Sequence, residues 1–444
     1  MIEIISVGGY SEIGMNMSVV RYGNEAVILD MGVHLENYIR FTGDQDIENF
    51  SLRDLIKERA VPDDSVIKDI KKNIIAITPS HGHLDHIGAI PYMAGKYNAP
   101  VICTPYTASV IQAILKDRRT GIKNTIKTVP NNSKIKLSEN ITLEFVEITH
   151  SIPDTALVVI HTPEGKIVYA NDYKLDDKPV IGGKPNYKRI KELGVEGNVK
   201  ALIIDSLYAD VEKKTPSESD AKEMLREVML DHDHSSKAVV ISTFSSHIAR
   251  LKSIVEFGEK LNRKIVFLGR SLAKYVYAAQ DIGMINFSER VEILPYKRQI
   301  KRLLKSVEKE GHEKYLIVAT GHQGEPNAVL SRIANGEMIF RFREGDHVIF
   351  SCTVIPSPLN ESNRKVLEEK IESKRAEIFR DVHVSGHAYR VDHRELINML
   401  KPKHIIPAHA GPEKTIHMAK LAEELGYKRG KTVHIMHDGK RIEV

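Results

Sequence analysis

The amino-acid sequence predicts an α/β protein of two units, a strand-rich metal-binding domain and a doubly wound α/β domain inserted into it. Three features carry that reading. His81-Gly82-His83-Leu84-Asp85-His86 packs three imidazoles and a carboxylate into one short turn. Near residue 205 the chain changes from short β-branched runs to alternating strand-like and helix-like segments, the pattern of parallel βαβ units. Further ligand candidates, Asp172 and His409, stand on either side of that region. If both serve one centre, the region between them is an insertion.

Taken in order, segments 2–8, 18–22, 26–30, 74–78, 141–148, 156–161, 166–170 and 201–205 are short runs rich in Val and Ile, bounded by turn residues, and read as strands. Segments 117–121 and 130–133 are polar breaks. The second rhythm begins with a strand at 238–243 and a helix at 247–261. It continues with a strand at 264–268, a helix at 272–279, and strands at 291–294, 316–320 and 347–351.

Composition narrows the classes. At 444 residues, with 42% apolar and 28% charged, the chain is too long for one ordinary core and suits a globular protein of two. No apolar run approaches the roughly 20 residues of a membrane-crossing helix, so no membrane partner is expected. Met1-Ile2-Glu3 runs straight into a strand without a basic leader, so no signal peptide is expected. Cys103 and Cys352 are the only cysteines, which excludes a disulfide framework and favours the cytoplasm. A net charge of +5 is compatible with a polyanionic ligand. Aromatics are 6% with no Trp and no interleaved basic–aromatic stripe, so backbone recognition is favoured over base stacking. The cations Lys297, Arg298, Lys301, Arg302 and Lys305 read as a solvated helix face, with contact to a ligand backbone as the alternative.

The turn at 81–86 leaves an apolar run that reads as a buried strand, so a loop can aim its four donors at one point. Imidazole and carboxylate suit zinc, manganese or iron. Four ligands on one turn exceed the three that a catalytic zinc takes from protein, which points to two metals. The remaining ligands should be His or Asp at strand ends. His150, Asp172 and His409 qualify, giving two clusters of three and one bridging carboxylate.

With Asp30 ending an early strand, this set resembles the metallo-β-lactamase superfamily, and the inserted region resembles the β-CASP domain of its nucleic-acid-processing branch. Several strings are most similar to the archaeal-type ribonuclease J family: Gly8-Gly9 with Glu12-Ile13-Gly14-Met15-Asn16, Thr149-His150-Ser151-Ile152-Pro153-Asp154, and Asp172-Tyr173-Lys174-Leu175-Asp176. They continue in Gly269-Arg270-Ser271, Thr320-Gly321-His322-Gln323-Gly324-Glu325-Pro326 and Val384-Ser385-Gly386-His387-Ala388. The resemblance implies an αββα sandwich formed by residues 1–204 and 370–444, with a β-CASP domain at 205–369.

The resemblance also implies roles. Two Zn²⁺ per chain, with Mn²⁺ as the alternative, would be held by His81, His83 and His150 and by Asp85, His86 and His409, with Asp172 bridging. Asp30 would orient a ligating His from behind. Asp205 and His387 would form a carboxylate–imidazole pair beside the scissile phosphate. His409 resembles the RNA-processing members rather than the DNA-repair ones. The implied activity is 5′→3′ hydrolysis of single-stranded RNA, preferring a 5′-monophosphate and releasing nucleoside 5′-monophosphates. Two cations about 3.5–4 Å apart would activate the attacking water. No ribose 2′-OH is required, so single-stranded DNA is a further candidate ligand. Ser385, Gly386 and His387, with Ser245, Ser246 and His247, would grip the 5′ phosphate, although a helix N-cap is the plain alternative for Ser245-Ser246. Tyr389 and His322 stand where bacterial members usually carry Ser, a departure that bears on this pocket. Homodimerisation through the catalytic core is a further expectation. Competing readings are an RNA endonuclease resembling the cleavage and polyadenylation factor nuclease, and an inactive RNA-binding scaffold. A lactonase-like hydrolase shares the metal turn, but the long insertion argues against it.

Overall fold

The structure, a computed structural model, describes residues 1–42, 50–118 and 121–444. The break expected at 117–121 falls partly outside them. The chain divides into two compact units, one of Met1–Asp177, Gly182–Thr215 and Ser385–Val444, the other of Lys178–Ile181 and Pro216–Val384.

The first unit contains two sheets. Seven strands lie in the order Arg441–Glu443, Ile2–Gly8, Met17–Tyr22, Glu25–Leu29, Ile74–Thr78, Val101–Cys103, Ile126–Thr128. Six lie in the order His404–Ala408, Val199–Asp205, Gly165–Ala170, Ala156–Thr162, Thr142–Glu147, Ser133–Lys136. Their facing surfaces share one core, with Ile4, Val20, Leu29 and Ala76 from the first sheet and Phe145, Val158, Ile167 and Ile203 from the second. On its other face the second sheet buries Val168 and Leu202 against helices that supply Ile190, Leu396 and Met418. Helix Pro105–Asp117 packs by strand Ile126–Thr128 of the first sheet and buries Val110, Ile111 and Ile114. Central strands covered on both faces read as nearly continuous apolar runs, which is why the sequence marks them. The result is the expected αββα sandwich.

The second unit is a six-stranded, wholly parallel sheet in the order Val291–Leu294, Lys264–Leu268, Tyr315–Ala319, Val239–Ser242, His347–Phe350, Glu377–Phe379. Helices flank it, as crossover connections require. Leu304 and Leu330 from two of them meet Val240, Val266 and Ile317 in one core.

The compact units divide after Thr215 and after Val384. Val199–Asp205 is an interior strand of the first unit, parallel to both neighbours. The following residues stay with that unit because Asp392 accepts from the Thr215 backbone N–H, and Arg390 N–H donates to the Val211 carbonyl. Strand Glu377–Phe379 instead closes the edge of the inserted sheet beside His347–Phe350. Three residues carry too little pattern to announce that strand.

Candidate metal centre

Every ligand candidate lies at or just past the C-terminal end of a strand of the first unit. His81 and His83 sit in the loop after Ile74–Thr78, while Asp85 and His86 occupy the single helical turn Leu84–Ile87. The turn is therefore half loop and half helix, rather than a loop throughout. Two backbone features make it compact. Asp30 and His409 adopt positive φ, 61° and 58°, a conformation found at sites held by their surroundings. Gly32 passes so close to the Asp85 carbonyl that no Cβ fits there.

The side chains converge as two groups, each with donor atoms within 4.8 Å of one another and each able to hold a metal ion. His81, His83, His150 and Asp172 form one; Asp85, His86, Asp172 and His409 form the other. Asp172 belongs to both. Its Oδ2 lies 3.6 Å from His81 Nε2, 3.3 Å from His86 Nε2 and 3.4 Å from His150 Nε2. Its Oδ1 is buried and has no hydrogen-bond partner among the described residues.

A cation fits this donor set. His83 Nδ1 stands 3.1 Å from His81 Nε2 and 3.2 Å from His150 Nε2. Ligands on a tetrahedral zinc, with Zn–N bonds of about 2.0–2.1 Å, would be separated by a similar distance. Burial holds His81 and His150 well below the ordinary imidazole range and pushes His83 down to about 4. Those rings are therefore neutral, as ligation requires. Around His86, burial is outweighed by the carboxylates of Asp172, Asp30 and Asp85, which raise its pKa well above the ordinary value. Burial alone would raise Asp172, but His409 and His86 hold it well below the carboxylate range. The pocket thus favours positive charge beside His86, whether a proton or a metal.

A second layer fixes the rings. The buried Asp30 carboxylate lies 2.6 Å from His86 Nδ1 and accepts from Tyr169 Oη at 2.7 Å and from Ser80 N–H at 2.7 Å. Ser80 Oγ also bonds Asp30 and lies 3.0 Å from His81 Nδ1. His150 Nδ1 meets the Gly386 carbonyl at 2.6 Å, leaving Nε2 inward. Asn16 Oδ1 accepts from Asn171 Nδ2 at 2.8 Å and lies 3.0 Å from His409 Nδ1. Sequence reasoning singled out Asp30 but assigned nothing to Ser80, Asn16, Tyr169 or Asn171. Only the adjacency of Ser80 to His81 hinted at its position.

His387 stands beside the centre. Its Nδ1 lies 2.9 Å from Asp205 Oδ2 and its Nε2 3.9 Å from Asp172 Oδ2. The other Asp205 oxygen accepts from Leu207 N–H at 2.8 Å, which fixes the carboxylate. Burial would lower His387, but Asp172 and Asp205 push it up to about 9. Ser385 Oγ accepts from His387 N–H at 3.0 Å and shapes the turn.

Ser245, Ser246 and His247 belong to the second unit, in the loop after strand Val239–Ser242. Ser245 Oγ bonds Ser271 Oγ at 2.9 Å. His247, not either serine, occupies the N-cap of helix Ile248–Lys260 and makes no side-chain cap there. Its Nε2 lies 3.3 Å from Glu218. The N-cap reading of the serines therefore fails.

Three family models match the chain: the metallo-beta-lactamase superfamily over 14–195, the ribonuclease J beta-CASP domain over 236–369, and the Zn-dependent metallo-hydrolase RNA specificity domain over 373–436. Ribonuclease J of Methanocaldococcus jannaschii is 44% identical over 439 residues, 99% of this chain and 98% of that protein. Ribonuclease J of Pyrococcus abyssi is 44% identical over 446 residues, 100% of this chain and 97% of that protein. A crystal structure of a protein of unknown function from Enterococcus faecalis matches with a TM-score of 0.66 at 18% identity, covering 99% of each chain, a likeness of fold alone. No helix among the described residues is long and apolar enough to cross a membrane. On full-length identity to those two archaeal proteins, and on the match of their family's own inserted domain, the chain belongs to the ribonuclease J family of metallo-β-lactamase-fold proteins.

Proposed function

We propose that the protein is a metal-dependent 5′→3′ exoribonuclease that removes nucleoside 5′-monophosphates from single-stranded RNA and prefers a 5′-monophosphate end. The observation that carries this is the convergence of two donor groups on Asp172, with the His387–Asp205 pair beside them. His81, His83 and His150 would hold one Zn²⁺, and Asp85, His86 and His409 the other, with Mn²⁺ as the alternative occupant. When bound, the pair of cations supplies Lewis-acid activation of water and neutralises charge on the scissile phosphate.

The chain's own residues supply the rest. Asp30 and the Gly386 carbonyl hold His86 and His150 in the tautomers that leave Nε2 inward. Asp205 accepts a hydrogen bond from His387 Nδ1–H and stabilises the imidazolium, whose Nε2–H would protonate the departing 3′ oxygen and leave the ring neutral. Ser385 and Gly386, on the tight turn before His387, offer a hydroxyl and a backbone N–H to a 5′ phosphate. Ser245, Ser246 and His247 lie on the C-terminal side of the inserted sheet, the edge where open parallel sheets bind ligands, and offer donors to RNA phosphates. No 2′-OH takes part, so single-stranded DNA is a further candidate substrate in this scheme.

Product analysis on one RNA labelled at its 5′ end tests the proposal, with 5′-monophosphate, hydroxyl and triphosphate forms compared and His83→Ala as control. Immediate release of labelled mononucleotide, fastest from the monophosphate and absent in the variant, is expected. Longer labelled fragments regardless of the 5′ group would transfer the protein to the endonuclease reading. No cleavage with metal supplied would leave an RNA-binding scaffold.

A further inference from the structure

The inserted unit carries a charged surface made of residues outside the metal centre. Helix Lys297–Glu310 buries Ile300, Leu303, Leu304 and Val307 in the core of that unit. Its opposite face exposes Lys297, Lys301 and Lys305 in a row four residues apart, with Arg298 and Arg302 in the next row. Residues so spaced lie on one side of a helix, and like charges there repel. The stripe spans about 12 Å at 1.5 Å rise per residue.

No carboxylate pairs with these five cations among the described residues, and the helix has no acidic residue in its first turn. Its glutamates are engaged elsewhere: Glu308 with Arg343 at 3.1 Å and Glu310 with Lys264 at 3.1 Å. A solvated helix face normally interleaves both signs; this one does not.

Aromatic surface adjoins the charge. Tyr296, at the N-cap of the same helix, is 61% exposed, and Tyr277, on helix Arg270–Asp281, is 44% exposed. They are the only aromatics among the exposed large hydrophobic side chains of the described residues. The Gly269 N–H donates to the Leu294 carbonyl at 3.1 Å, joining the loops that lead into both helices.

We propose that this face is a secondary binding track for single-stranded RNA, in which the lysines and arginines take successive phosphates and Tyr296 stacks a base. Cationic grooves with aromatic platforms bind single strands without sequence preference. The inference rests on the reading of the substrate as RNA, but its test does not depend on cleavage.

The test is fluorescence anisotropy of a labelled 30-nucleotide oligouridylate with the full chain, EDTA holding hydrolysis off, across a salt series. A Lys301→Ala/Arg302→Ala/Lys305→Ala variant is compared with Lys68→Ala/Lys71→Ala/Lys72→Ala, which removes the same charge from exposed positions of the first unit. The patch variant should bind about tenfold more weakly and lose about 2 from the slope of log K against log salt, at roughly 0.7 per phosphate contact. Tyr296→Ala should weaken binding roughly fivefold or more, and Tyr296→Phe should keep it. Equal losses in both triple variants would overturn the inference, as would no loss in the patch variant, the result expected of a face that serves a protein partner. A chain that binds the oligomer through the patch but never cuts RNA would refute the nuclease reading and leave the track standing.

Discussion

Replacing Asp30 by Asn removes one charge and two protons' worth of accepting power from behind His86 while keeping the side chain's volume. In the wild-type geometry one carboxylate oxygen accepts from Ser80 N–H at 2.7 Å, and the other faces His86 Nδ1 at 2.6 Å and Tyr169 Oη at 2.7 Å. The Ser80 and Tyr169 hydroxyls can rotate to accept, but the Ser80 N–H and the His86 Nδ1–H cannot. An Asn amide facing Ser80 sets donor against donor in a buried place, at a cost of about 1–3 kcal/mol. An amide facing His86 forces Nδ1 to accept, which moves the ring proton to Nε2, the atom aimed at Asp172. Either arrangement weakens ligation by His86. Lost support of this kind costs about 10–100-fold in metal affinity, or about 1.4–2.8 kcal/mol at 1.4 kcal/mol per decade. Competition against a chelator of known affinity, read by metal content after desalting, measures it, and a thermal melt checks that the variant is folded. A folded Asp30→Asn variant that keeps wild-type affinity at both sites would refute the argument that Asp30 sets the His86 tautomer.

Other consequences follow from individual contacts. Gly386→Ala places a Cβ 2.7 Å from Ser151 Cβ and 3.2 Å from His150 Cε1; we expect at least about a tenfold loss of RNA hydrolysis, seen in kcat, and wild-type turnover would show that the close approach of Gly386 to His150 is not needed to hold that ring. In the inserted unit Arg250 is 0% exposed and pairs with Glu218 at 2.7 Å. Glu218→Gln should destabilise that unit by about 3–5 kcal/mol in urea unfolding, and Leu at both positions should recover much of the loss; a negligible single effect would contradict a buried charge pair. Burial would raise Glu144, but His161 and Arg189 hold its folded pKa down to about 2. A depressed carboxylate stabilises the fold above its unfolded pKa, roughly 4.3, and loses that contribution as pH falls through the folded value. The stability gap between wild type and Glu144→Gln should therefore be full at pH 7 and close between about pH 4 and 2; a gap independent of pH would count against the Glu144 ion pairs.

The site was legible where chemistry is concentrated along the chain. Three imidazoles and a carboxylate in residues 81–86 announce a metal turn by themselves, and His150, Asp172 and His409 stand out because each ends an apolar run. Partners that matter only through tertiary placement were silent. Asn16 lies 393 residues from His409, and Tyr169 is 139 from Asp30; nothing local marks either pair. The same holds for the fold. Central strands such as Ala156–Thr162 are buried through most of their length and read clearly, whereas of the half-exposed strand Ser133–Lys136 only Ser133 is marked, as the end of a polar break, because lysines alternate along the rest. Tyr296 carries no pattern of its own beside Lys297, so its exposure at the N-cap of the basic helix emerges only in the folded unit.

The central claim is that both donor groups must be filled for the protein to cut RNA. Metal-free protein titrated with zinc, with the rate of mononucleotide release from a 5′-monophosphorylated RNA recorded at each addition, tests it directly. The rate should stay near zero up to one equivalent, rise between one and two, and then level off. Full activity at one equivalent, or activity that never responds to metal, would contradict a centre shared through Asp172.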